Sequence, residues 1–135
     1  VDQLTPMVFA AHPVVVKVGG DYYVRSIQKV NDDGSLTFFC AIDVGVVLTV
    51  ARGIDLIDNL EQAFEAVQTQ VGDVELVLGC DCVLRRIEIQ QRHLADEVSR
   101  IFIDNRVVGF ATYGEQFNAM HVNQTFAGVA IGGER

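Results

Sequence analysis

Between residues 55 and 72 the chain changes its hydrophobic period. Ile57, Leu60, Phe64, Val67 and Val71 recur at spacings of 3, 4, 3 and 4, which lines them along one face of an α-helix. Asp55 or Asp58 can cap its start, and Gly72 can stop it. Upstream that period is missing. VVVKV (14–18), YYVRSIQKV (22–30), LTFFCAI (36–42) and VVLTV (46–50) are β-rich runs divided by GGD, NDDGS and DVG. Such dividers are turn sequences, with Gly34 free to take positive φ. The first 50 residues therefore read as an antiparallel meander of about four strands.

Downstream, VELVL (74–78) is a short apolar strand, followed by a second helical pattern over 86–104. Leu94, Val98, Ile101 and Phe102 share its inner face, and Asn105 ends it. VVGFATY (107–113) and TFAGVAIGG (125–133) are the last strands. The expected fold is α/β, with α+β as the alternative arrangement: the meander followed by β-α-β-α-β-β, in one mixed sheet with two main helices. Two right-handed crossovers would join strands 46–50, 74–78 and 107–113 in parallel.

Charge and composition narrow the function. A net charge of −8 repels phosphate backbones and anionic bilayers, so neither a nucleic acid nor a membrane is an expected partner. The apolar runs are strand-sized, well short of the ~20 residues that span a bilayer. The start, VDQLTPMVF, has no signal-peptide pattern and no initiator Met. It reads as part of a longer cytoplasmic protein, with residues 1–135 forming one domain. Cys40, Cys80 and Cys82 are too few and too odd for a disulfide framework. Nor do they have zinc-site spacing with His12, His93 or His121.

Parallel strands bring their carboxyl ends to one rim, where open α/β sheets bind ligands. Strand 74–78 leads there into Gly79-Cys80-Asp81-Cys82, and strand 107–113 into Gly114-Glu115. His121 and Asn123, just before the antiparallel last strand, begin on the same rim. Glu115 could anchor a ligand ammonium or hydroxyl, or merely hold a turn. His121 could donate to a ligand or bond locally, and Asn123 could bind or brace backbone. Tyr113 could wall a pocket or pack in the core. Arg85, at the start of the second helix, could hold an anion or form a salt bridge. His93 lies four residues before Glu97, a surface pair on a helix.

In this order, HPVVVKVGGDYYVRSIQKVNDDGSLTFFCAIDVG, CDCVLRR, GFATYGE and HVNQTFAGVAIG resemble the C-terminal half of the FIST sensory module (F-box and intracellular signal transduction). The pieces that carry most of the likeness are Tyr23–Arg25, Cys82-x-x-Arg85, Gly114-Glu115 and His121-x-Asn123. The resemblance implies a cytoplasmic input domain that binds a small molecule and signals to an output module. It also implies an N-terminal companion FIST domain in the same protein. A histidine kinase, a cyclase or a chemoreceptor is the kind of output expected, and a homo-oligomer is a further expectation where the companion is missing.

The candidate ligand site is then Cys82, Arg85, Tyr113, Gly114, Glu115, His121 and Asn123, with no catalytic residue, metal or cofactor. Carboxylate, amide, imidazole and guanidinium together suit amino acids or similar small metabolites. The alternative is a haem-binding nitric-oxide sensor, since some family members are associated with haem. Its axial ligand would be His121, or else His93 or His12. A further alternative is an enzyme with Cys80 or Cys82 as nucleophile and His121 as base.

Overall fold

The computed structural model describes residues 8, 9 and 12–133, so the VDQLTPM start lies outside the described residues. In chain order the elements are β1 (Val14–Val18), β2 (Asp21–Arg25), β3 (Ile27–Val30), β4 (Leu36–Phe38), β5 (Leu48–Val50), α1 (Leu56–Val71), β6 (Val74–Cys82), α2 (Val83–Gln91), α3 (Ala95–Asp104), β7 (Val107–Thr112), β8 (Glu115–Phe117), β9 (Met120–Val122) and β10 (Phe126–Gly132). The mixed helix and strand content is as expected.

The central sheet runs β10-β6-β7. β6 and β7 are parallel, joined by α2 and α3, and β10 returns antiparallel on the other side of β6. Both features match the expected second crossover and antiparallel last strand. The N-terminal strands do not form one meander. β5 pairs with β1 on the side opposite β2, while β3 and β4 form a hairpin of their own. The split falls at Ser26, where the run YYVRSIQKV leaves one sheet and enters the other. Tyr23, Arg25, Ser26 and Ile27 are all buried there, so one straight strand with a single inner face cannot serve them. β5 is not in the central sheet, so α1 connects two sheets and the expected first crossover is absent.

α1 is as its period predicts. The Asp55 carboxylate accepts from the N–H groups of Ile57 and Asp58, at 2.9 and 3.2 Å. Gly72, at φ 85 and ψ −127, ends the helix, a positive-φ conformation that residues with a Cβ rarely adopt. The expected single helix over 86–104 is two helices. His93, at φ 58, breaks it, while Leu94 N–H donates to Ile89 O at 2.9 Å and His93 N–H to Gln90 O at 3.2 Å. This is a Schellman ending with histidine in glycine's usual place. The two residues that flank this ending are both apolar, Ile89 buried in the core cluster and Leu94 packed against that cluster.

The three helices cover one face of the central sheet. Leu56, Leu60, Phe64, Val77, Ile89, Val98 and Ile101 are buried there, with Phe102 and Phe126 against them. The Phe64, Phe102 and Phe126 rings lie 5.0 to 6.3 Å apart by centroid, within the range of favourable aromatic contact. Full burial of a side chain such as Phe64 is worth about 1.5–3 kcal/mol. The opposite face carries Leu78, Val108, Phe110, Val129 and Ile131, all exposed. Leu78 pairs with Val129 on one side and Val108 on the other, which makes this face a continuous apolar row.

Candidate functional site

At the carboxyl end of β6 and β7 the open face of the sheet is overhung. β8 and β9 form a hairpin there, pairing Glu115 with Val122 and Phe117 with Met120. Its turn is Asn118-Ala119, both at positive φ, 49 and 61, which is the two-residue type I′ geometry. β2 packs on β9, and the buried Arg25 fixes that contact by donating from Nη1 to His121 O at 2.8 Å. Between β2, the hairpin and the open sheet face lies a cavity of about 820 Å³. That is within the ~300–1,000 Å³ range of small-molecule sites.

Glu115 closes the inner end of this cavity. It is 5% exposed, and its two carboxylate oxygens accept from the hydroxyls of Thr112 and Thr125. Those two threonines come from the end of β7 and from the residue just before β10, on either side of Cys82, whose N–H donates to Thr125 O at 3.1 Å. The site is therefore assembled by the sheet register itself. The walls are apolar and aromatic, including Tyr22, Leu78, Phe110, Phe117 and Val129, with Cys80 on the sheet side and Asp21 at the mouth.

The predicted residues fall into three groups. Gly114 and Glu115 line the cavity. Asn123, Cys82 and Arg85 are buried, with exposures of 0%, 0% and 7%, and support it from outside. A Cβ on Gly114 would stand 2.2 Å from His121 Nε2 and 2.9 Å from Asn123 Nδ2, so the bare backbone lets these two side chains close on the turn before β8. Asn123 Nδ2 donates to Tyr113 O at 3.4 Å, and its Oδ1 has no partner among the described residues. Arg85 resolves to a salt bridge, Nε to Asp81 Oδ1 at 2.7 Å, with its guanidinium 5.9 Å from the Phe126 ring centre. Tyr113 points away and is 89% exposed. The His121 side chain is exposed and does not line the cavity.

The other chemistries fit less well. None of His12, His93 and His121 lines the cavity, so a haem held there through a histidine does not fit the side chains present. Cys82 has no exposed surface for a substrate to reach, and Cys80 lies in a cavity that no histidine lines. Burial pushes the Cys40 thiol up from its ordinary pKa, with the Arg25 charge only partly opposing it. Among the described residues no group of three or more His, Cys, Asp or Glu side chains is placed to hold a metal ion. No helix among them is long and apolar enough to cross a membrane.

Sequence reasoning missed β2 as a wall of the site, and Thr112 and Thr125 as the partners of Glu115. A threonine at each flank of the polar stretch was the available signal, but only the β10-β6-β7 register shows that they meet at one carboxylate. A search of curated proteins and of solved structures found no match to this chain. The family model of the FIST C domain matches residues 1–118. The matched part includes Glu115 and most of the cavity's β2, β6 and β7 walls, and it ends before His121 and Asn123. This chain belongs to the FIST C domain family, a family of signal-transduction sensory domains.

Proposed function

We propose that this domain senses a small organic molecule in the cavity above the open face of β10-β6-β7, as the input part of a signalling protein. The observation that carries this is Glu115, a buried carboxylate lining an apolar cavity of about 820 Å³, held by two hydroxyls and, among the described residues, by no cation. A buried carboxylate with no counter-ion is costly to keep for packing alone, and convergent polar groups in an apolar pocket are the usual form of a ligand site. Amino acids and similar small polar metabolites are the first class to screen.

The signal would leave through the rest of the same sheet face. Val108 and Ile131 extend the apolar row beyond the cavity and are 52% and 49% exposed. A companion FIST domain would cover them, and a ligand bound beside that contact could bias it towards a histidine kinase, cyclase or chemoreceptor output. The test is a thermal-shift screen of amino acids, amines and small metabolites. A binder should raise the Tm of the parent chain and leave that of Glu115→Ala unmoved relative to its own baseline. A screen in which nothing stabilises the chain, or in which every binder acts equally on the variant, would contradict a site at Glu115.

A further inference from the structure

Taking the cavity as a ligand site, we propose that it selects an organic cation, a primary ammonium or guanidinium group carried on an apolar body, over anions and zwitterions. Among the described residues, the charged side chains that line it are Asp21 and Glu115, both acids, with no Lys, Arg or His beside them. At the inner end the hydroxyl protons of Thr112 and Thr125 are already directed at Glu115. What those three side chains present to a guest is therefore acceptor lone pairs only. An incoming group must donate, and a positive one also neutralises the buried carboxylate.

A zwitterionic amino acid would need a second, cationic anchor for its own carboxylate, and the described residues that line the cavity supply none. Neither buried arginine nearby lines the cavity: Arg25 donates to His121 O, and Arg85 pairs through Nε with Asp81 and stands over the Phe126 ring, with its Nη2 unpartnered among the described residues. Lys17 stacks on the outer wall, its Nζ 5.3 Å from the Tyr22 ring centre, without lining the cavity. The walls suit the rest of such a molecule, since Tyr22, Phe110 and Phe117 offer aromatic faces to an apolar body and to a cation alike.

Isothermal titration of the 135-residue chain with 2-phenylethylamine, 2-phenylethanol and phenylacetate separates the head groups on one body. The amine should bind about tenfold or more tighter than the alcohol, as an ion pair made in a desolvated site does, and phenylacetate weakest of the three. Glu115→Gln should remove that preference while the chain keeps its fold, because the Gln amide can still bond both threonine hydroxyls. Asp21→Asn, at the exposed mouth, should reduce the preference by a smaller factor without touching the core, and it decides the matter if Glu115→Gln is unstable. Alcohol or phenylacetate binding as tightly as the amine would overturn the cation selectivity and leave the ligand site standing. Failure of all three probes to bind would count against the ligand site as well.

Discussion

Asp55 shows how a single residue couples two parts of the chain. The backbone N–H of Asp58, then that of Ile57, and last the Arg92 guanidinium hold its carboxyl below the ordinary carboxylate range. Arg92 reaches it from the end of α2, Nη2 to Oδ2 at 3.1 Å, so the cap of α1 also ties α1 to α2. A carboxyl with a depressed folded pKa stabilises above its unfolded pKa and loses that contribution as pH falls through its folded value. Asp55→Ala should therefore lower the Tm by a few degrees at neutral pH. In thermal melts taken stepwise towards acid, the gap between variant and parent should close below the carboxylate range. A gap that stays constant with pH would mean the loss is not one of a charged cap. Glu115 is the contrasting carboxylate, buried and directed into a cavity rather than at a helix end.

Among the elements, the β8–β9 hairpin decides whether the cavity exists. It was not legible in the sequence, where TYGEQFNAMHVNQT reads as a polar loop. A type I′ turn is normally announced by Asn-Gly, and here it is Asn118-Ala119, with alanine held at φ 61. Left-handed alanine costs roughly 1–2 kcal/mol. Ala119→Gly should thus stabilise the chain by about 1 kcal/mol after glycine's greater unfolded-state freedom is counted, as read by urea denaturation. Destabilisation would show that the turn is not of this type. The break between α2 and α3 was hidden for the same reason, since His93 occupies a Schellman position that glycine usually marks. Where the ordinary signals are present, at Asp55, Gly72 and Asn105, the helix ends fall where the sequence places them. Strand pairing was only partly readable: the parallel β6-β7 pair follows from helix spacing, and the antiparallel sense of β10 was expected, but its place beside β6 was not, and the move from β2 to β3 at Ser26 depends on tertiary burial on both sides of one run.

At the scale of the whole molecule, the central sheet is a two-sided device. Its helix side is filled by the aromatic cluster around Phe64. Its other side is half cavity and half bare apolar surface, which suits a domain that holds a ligand at one end and a protein neighbour at the other. Larger contiguous apolar patches of this kind usually mark interaction sites. The residues expected at one rim do come together, with GCDC, Gly114-Glu115 and Asn123 at the same end of the sheet, but Tyr113 is exposed, the His121 side chain packs on the Gly114 turn without lining the cavity, and the aromatic walls come from segments read only as core. The most direct test of ligand sensing at this place is amide chemical-shift mapping of the labelled chain, titrated with whichever small molecule most stabilises it. Binding as described should move the amides of Cys80, Phe110, Glu115 and Thr125 to Val129 and leave those of α1 and α3 in place. A saturable binder whose shifts gather on the helices, with the Glu115 and Thr125 amides unmoved, would contradict it.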